Sequence, residues 1–93
     1  LVESIDGYKT ALDGSLDALL VLHRDEVGVI AEVSRILARA GLNIASAVSH
    51  RKDRGDEALL VVELDQAPPR AVLEELGRLP SARRVVRVPA IRG

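Results

Sequence analysis

Cysteine, methionine, tryptophan and phenylalanine are all absent from the 93 residues, and Tyr8 is the one aromatic side chain. Without cysteine there is no disulfide framework, no thiolate nucleophile and no Cys-ligated metal, a pattern that fits a cytoplasmic setting. With one aromatic, the core has to be built from Leu, Val, Ile and Ala, and an RNA-binding sheet would lack its stacking platform. An excess of one charge is missing too. Thirteen basic residues against fourteen acidic ones leave a formal charge of −1, so no global field favours nucleic acid or an anionic membrane. Arg83, Arg84 and Arg87 are expected to line a solvated strand face. No apolar run approaches the roughly 20 residues that span a bilayer, and the first residues carry no signal-peptide pattern.

Catalytic signatures are equally sparse. His50 has no second histidine or carboxylate at metal-ligand spacing. Glu57, Glu63 and Asp65 have no nucleophile near them in sequence, and neither an acid–base pair nor a glycine-rich phosphate loop is present. The reading is one domain with one core, too small for most complete enzymes, with no catalytic residue, metal or cofactor of its own. The start at Leu rather than Met suggests an excised domain, a processed chain, or a chain whose first residues are missing.

What is present is organised around Leu19 to Ala47. An apolar run of strand length, Leu19 to Leu22, breaks at the polar cluster His23-Arg24-Asp25-Glu26 and resumes after Gly28 with helical spacing. Ile30, Val33, Leu37 and Ala40 fall on one stripe, with Val29 and Ile36 beside it. Gly41 is placed to end that helix in a left-handed conformation, and a second strand then starts at Leu42. Glu57 to Asp65 reads as a third strand behind a charged turn at 51–56, Pro69 to Leu79 as a second helix stopped by Pro80, and Arg83 to Val88 as a fourth strand.

The order β-α-β-β-α-β predicts an α+β, ferredoxin-like sandwich: a four-stranded antiparallel sheet with two helices on one face. The first and third strands are apolar on both sides, so the second sheet face needs a cover, and a partner subunit or domain is the expected one. Residues 1–17 read as an N-terminal linker or short extra hairpin, and 18–93 as the domain itself.

The pattern His23-Arg24-Asp25-x-x-Gly28-Val29-Ile30, then Ile36-Leu37, then Gly41-Leu42-Asn43-Ile44-Ala45, resembles the ACT domain, a small regulatory module that binds amino acids. With Gly55-Asp56-Glu57-Ala58 before an apolar strand, it looks most like the C-terminal regulatory domains of two enzymes of serine metabolism. These are the iron–sulfur L-serine dehydratase β subunit, favoured by Leu12-Asp13-Gly14 and the turn at 50–58, and D-3-phosphoglycerate dehydrogenase. Val27 stands where these families usually carry proline, and Asp25 where the best-known serine-binding form has asparagine.

The resemblance implies a ligand site of His23, Asp25, Val27, Gly28, Val29 and Ile44, completed by Asn43 from a neighbouring subunit. Such a set suits a zwitterion: an amide donates and accepts, Asp25 accepts from an ammonium, and N–H groups around Gly28 meet a carboxylate. The bland alternatives are a hydrogen-bonded strand-end histidine, a helix-capping aspartate and a turn asparagine. The expectations are L-serine or another small amino acid as ligand, a homodimer joined at the sheet edge, and a catalytic domain or subunit of the parent enzyme as partner. Any 4Fe-4S cluster would lie in that catalytic part. Neither nucleic acid nor membrane is expected, and a structural dimerisation module without ligand is the competing reading.

Overall fold

The computed structural model describes residues 2–5, 7–51 and 56–91. Its elements are β1 (Val2–Ile5), β2 (Tyr8–Ala11), β3 (Asp17–Arg24), α1 (Val29–Arg39), β4 (Ile44–Arg51), β5 (Glu57–Leu64), α2 (Arg70–Gly77) and β6 (Ala82–Val88). The last six give the β-α-β-β-α-β order of the ferredoxin-like sandwich. Their strands form one antiparallel sheet in the order β4-β5-β3-β6, so β3 and β5 are central and β4 and β6 are edges. The charged turn 52–55 lies outside the described residues.

Two glycines set the ends of α1. Gly28, at φ +92°, turns the chain from the loop after β3 into the helix, a conformation that costs glycine little. At the other end Gly41 has φ +78°, and Gly41 N–H donates to Ala38 O at 3.0 Å while Leu42 N–H donates to Leu37 O at 3.0 Å. That pair of bonds is a Schellman closure, which satisfies helix carbonyls otherwise left without donors.

The periodicity locates α1 but misplaces one wall of it. Val29, Val33, Ile36 and Leu37 are buried, whereas Ile30 is 48% exposed. Each residue turns the helix by about 100°, so once Val29 and Val33 face the sheet, Ile30 is carried off the buried stripe. The second helix is also shorter than the sequence suggests, ending at Gly77 rather than Leu79.

Alternation along the central strands builds two cores. Leu19 and Val21 of β3, with Leu60, Val62 and Leu64 of β5, face the helices and pack on Val33, Ile36, Leu37, Val72 and Leu76. Leu20 and Leu22, with Leu59 and Val61, face the other way. The expectation of a partner covering this second face is corrected here: the chain covers it with its own N-terminal hairpin. β1 and β2 pair antiparallel, and Ile5, Tyr8 and Leu12 are buried against the sheet. At about 1.5–3 kcal/mol for each fully buried large apolar side chain, three such residues outweigh the marginal stability of an isolated hairpin.

Polar contacts fix the hairpin in place. Tyr8 OH donates to Glu57 O at 3.2 Å, and Asp13 N–H donates to the Glu63 carboxylate at 2.9 Å. The chain's far end is tied to the same region, since Ile91 N–H donates to Gly14 O at 2.6 Å and the buried Asp17 carboxylate accepts from Arg87 at 2.9 Å.

Candidate functional site

The site grows from the end of β3. His23 lies opposite Ala58 of β5 and Ala82 of β6, beyond a register shift between Leu22 and His23. Two alanines on the flanking strands leave room for an imidazole inside the sheet layer, and the residue is only 3% exposed. Its Nδ1 lies 2.7 Å from the carbonyl oxygen of Arg24. A carbonyl can only accept, so Nδ1 carries the hydrogen, and in the singly protonated ring Nε2 is then a lone-pair acceptor. That Nε2 is buried and has no hydrogen-bond partner among the described residues. An acceptor left so costs about 1–3 kcal/mol, which a donor arriving there would recover.

The loop after His23 is stapled on both sides. Arg24 N–H donates to Ser81 O at 2.9 Å and Asp25 N–H to Asp56 O at 2.7 Å, while Ser81 Oγ donates to Glu26. Beyond it, α1 opens without a side-chain cap, and the first intrahelical bond is Glu32 N–H to Gly28 O at 3.0 Å. The amides of Val29, Ile30 and Ala31 therefore precede the helix's own acceptors and point outward at its positive end. A groove of about 420 Å³ runs beside them, with Val27, Gly28, Val29 and Glu32 on one wall and Pro80 and Ser81 on the other. That volume lies in the range of small-molecule sites. Glu32 holds its proton less tightly than an ordinary glutamate, because Arg35 donates to it at 2.8 Å and adds its positive charge. The groove thus carries an arginine-paired carboxylate at one rim.

Asp25 already has a counter-ion. Arg51, the last residue of β4, places Nε at 3.0 Å from one carboxylate oxygen and Nη2 at 3.3 Å from the other. Sequence reasoning missed Arg51, and it missed Pro80 and Ser81 as the facing wall. Their proximity depends on strand register and on the α2–β6 turn, and no local spacing encodes either.

The other two candidates lie elsewhere. Asn43 precedes β4 at the opposite end of the sheet: its backbone accepts from Asp65 N–H at 3.1 Å, its backbone N–H donates to Gln66 at 3.0 Å, and its side-chain amide donates to Asp65. His23 sits beside Ala58 and Asn43 beside Asp65, so at about 3.3 Å per residue they are roughly 20 Å apart within one chain. Ile44 is half-buried and packs on the helix-side core, and Val27 is fully exposed. Within one chain Val27, Gly28 and Val29 line the groove, His23 and Asp25 lie just before them without lining it, and Asn43 and Ile44 stand apart.

Among the described residues no group of three or more His, Cys, Asp or Glu side chains could hold a metal ion, and no helix is long and apolar enough to cross a membrane. With no cysteine in the chain, these residues do not fit an iron–sulfur cluster.

Comparison with known proteins places these features. The ACT domain family model matches residues 18–81. A Bacillus subtilis (strain 168) protein described as "Probable L-serine dehydratase, beta chain" is 34% identical over 87 residues, covering 94% of this chain and 40% of its own length. The D-3-phosphoglycerate dehydrogenase of Methanocaldococcus jannaschii is 29% identical over 85 residues, covering 91% of this chain and 16% of its own length. The chain thus spans well under half of either relative. Among solved structures, the ACT domain from GTP pyrophosphokinase of Chlorobium tepidum superposes with a TM-score of 0.61 at 15% identity, over 78% of this chain and 84% of that one. A homoserine dehydrogenase from Thiobacillus denitrificans gives 0.64 at 19% identity, over 83% of this chain and 18% of that one. At those identities the likeness is one of fold.

Proposed function

The chain belongs to the ACT domain family, and from that premise we propose that it is a regulatory domain that binds L-serine and controls an associated enzyme of serine metabolism in the cytoplasm. The enzyme we favour is L-serine dehydratase, which converts serine to pyruvate and ammonia, on the strength of the 34% identity along nearly the whole chain. The alternative parent is D-3-phosphoglycerate dehydrogenase, at 29%. Catalysis and any 4Fe-4S cluster belong to polypeptide outside these residues.

The observation that carries the ligand reading is the buried Nε2 of His23, which has no partner among the described residues. A core histidine kept only for packing would have both ring nitrogens satisfied. Here one lone pair waits for a donor, which the hydroxyl or ammonium of serine supplies, on the segment that carries Asp25 and leads into the uncapped amides of α1. Because Nε2 is closed to solvent, binding entails a local parting of the loop at 26–28, beyond the backbone bonds that hold Arg24 and Asp25.

The site is completed by a second copy of the chain. Of the two edge strands, β6 presents Arg83, Arg84 and Arg87 as exposed cations, the kind of residue that blocks edge-to-edge pairing. β4 reads Ile-Ala-Ser-Ala-Val-Ser-His before Arg51, with no lysine or proline to guard it. Antiparallel pairing of β4 with its twofold mate over the whole strand sets Ile44 of one copy opposite Arg51 of the other. Asn43 of the partner subunit is then carried to the Asp25 end of the first, closing the gap that separates the candidates within one chain.

The test is calorimetry with L-serine, glycine and a branched-chain amino acid on the chain and on Asn43→Ala. L-Serine should bind and raise Tm by mass action, and the substitution should weaken it by about 1–3 kcal/mol. Serine binding undiminished in Asn43→Ala rejects the composite site. Absence of any amino-acid binding by the unmodified chain leaves a structural dimerisation module.

A further inference from the structure

Each Asp25 carboxylate oxygen already accepts from one guanidinium, at 3.0 and 3.3 Å, so an arriving ammonium competes with Arg51 for that carboxylate. An entering amino acid that takes Asp25 loosens or opens this pair. Opening is cheap on the Arg51 side, whose side chain is 67% exposed, since exposed ion pairs contribute little. The fate of the two halves is then set by the ligand's charges. A simple amine would take Asp25 and leave Arg51 without a counter-ion. An α-amino acid carries its carboxylate on the same carbon as its ammonium, so each half of the broken pair finds a new partner of opposite sign.

Resting on the serine-binding reading above, we propose that Arg51 is a further ligand residue, exchanging Asp25 for the α-carboxylate of the bound amino acid while Asp25 takes the α-ammonium. The planar fork that now spans Asp25 suits a carboxylate in the same two-point manner, and a carboxylate has lone pairs enough to share between Arg51 and the α1 amides. The pair is anchored for such an exchange. Asp25 is held by its backbone to Asp56 at 2.7 Å, so it stays while the arginine moves. Arg51 ends the strand proposed to form the dimer seam, so its new contact lies where Asn43 of the partner subunit arrives. The arrangement selects for the zwitterion itself, apart from any preference among side chains.

The experiment compares L-serine with ethanolamine, which is serine without its carboxylate, by calorimetry on the unmodified chain, Arg51→Gln, Arg51→Lys and Asp25→Asn. The unmodified chain should bind L-serine at least tenfold more tightly than ethanolamine. Arg51→Gln should lose most of that preference by weakening serine, while ethanolamine, freed of the competitor for Asp25, binds somewhat more tightly. Arg51→Lys, which keeps the charge but not the fork, should lose part of it, and serves alone if the glutamine variant fails to fold. Asp25→Asn should weaken both ligands. Serine binding unaltered in Arg51→Gln and Arg51→Lys overturns the role of Arg51 and leaves the serine site standing. Tighter binding of both ligands in Arg51→Gln also overturns it, by showing that Arg51 only competes for Asp25. No binding of serine by the unmodified chain overturns this inference together with the proposed function.

Discussion

Tyr8 and His23 show how single side chains here carry more than packing. Tyr8 is buried in the hairpin-side core, and its hydroxyl reaches the start of β5 through Glu57. Burial holds the phenol protonated above the ordinary tyrosine value, and the nearby Glu57 carboxylate pushes it further the same way. Because the folded state keeps the proton more tightly than the unfolded chain, the associated stability is complete below the ordinary tyrosine value and is lost as pH rises through the folded one. Tyr8→Phe should cost about 0.5–1.5 kcal/mol at neutral pH through the lost hydrogen bond. It should also flatten the alkaline fall in stability, read as urea midpoints from neutral pH to above the tyrosine range. An alkaline slope equal to the unmodified chain's would place its origin elsewhere. In the sequence Tyr8 shows only as the solitary aromatic, because its partner is 49 residues away. His23 is legible as a polar residue ending an apolar strand. The partnerless Nε2 is not, because it depends on what flanking strands place around the ring.

At the scale of elements, the strands and helices on the helix side are readable because alternation and helical spacing are local properties. β5 and β6 fall within a residue of the bounds that alternation and turn residues suggest, and β3 extends two residues beyond the Leu19 to Leu22 run at each end. The hairpin's role is not readable. Ile5, Tyr8 and Leu12 have no strand-like period among themselves, and their burial depends on where residues 1–17 lie across the sheet. The apolar second face correctly implies a cover, and a cover within the chain satisfies that implication as well as a partner would. This correction moves the case for association from the sheet face to the sheet edge. β4 is eight residues long and carries Val48, 49% exposed, next to its middle. In the twofold antiparallel pairing that sets Ile44 opposite Arg51, Val48 of each copy lies opposite residue 47 of the other, so Val48→Lys puts a lysine from each copy at the centre of the seam, and edge lysines block strand pairing. That variant should sediment as a monomer at micromolar concentration while keeping its helical and strand content, since position 48 contributes little to either core. A dimer unaffected by the lysine would mean that the chains join somewhere other than β4.

The molecule as a whole has two ends that one chain cannot use together: His23 and Asp25 near the start of β5, and Asn43 near its finish. If the proposed pairing of β4 is correct, each site takes Asp25 from one copy and Asn43 from the other, and a dimer has two such sites. Complementation tests this without relying on any single loss of function. A homodimer of Asp25→Ala lacks the carboxylate at both sites, and a homodimer of Asn43→Ala lacks the amide at both. In a mixed dimer, one site receives both defects and the other receives neither. Both positions lie at the surface end of their elements, and neither residue belongs to a core cluster, so both variants should fold. Equal amounts of the two, unfolded together and refolded, should give mixed dimers as about half of the population by random pairing. Each mixed dimer has one intact site of two, so serine-binding capacity should return to about a quarter of the unmodified chain's, with the unmodified affinity. The two variants refolded separately and then mixed should regain that capacity only as fast as subunits exchange. If the co-refolded mixture binds no more serine than its components, Asp25 and Asn43 do not share a site across the seam, whatever the oligomeric state.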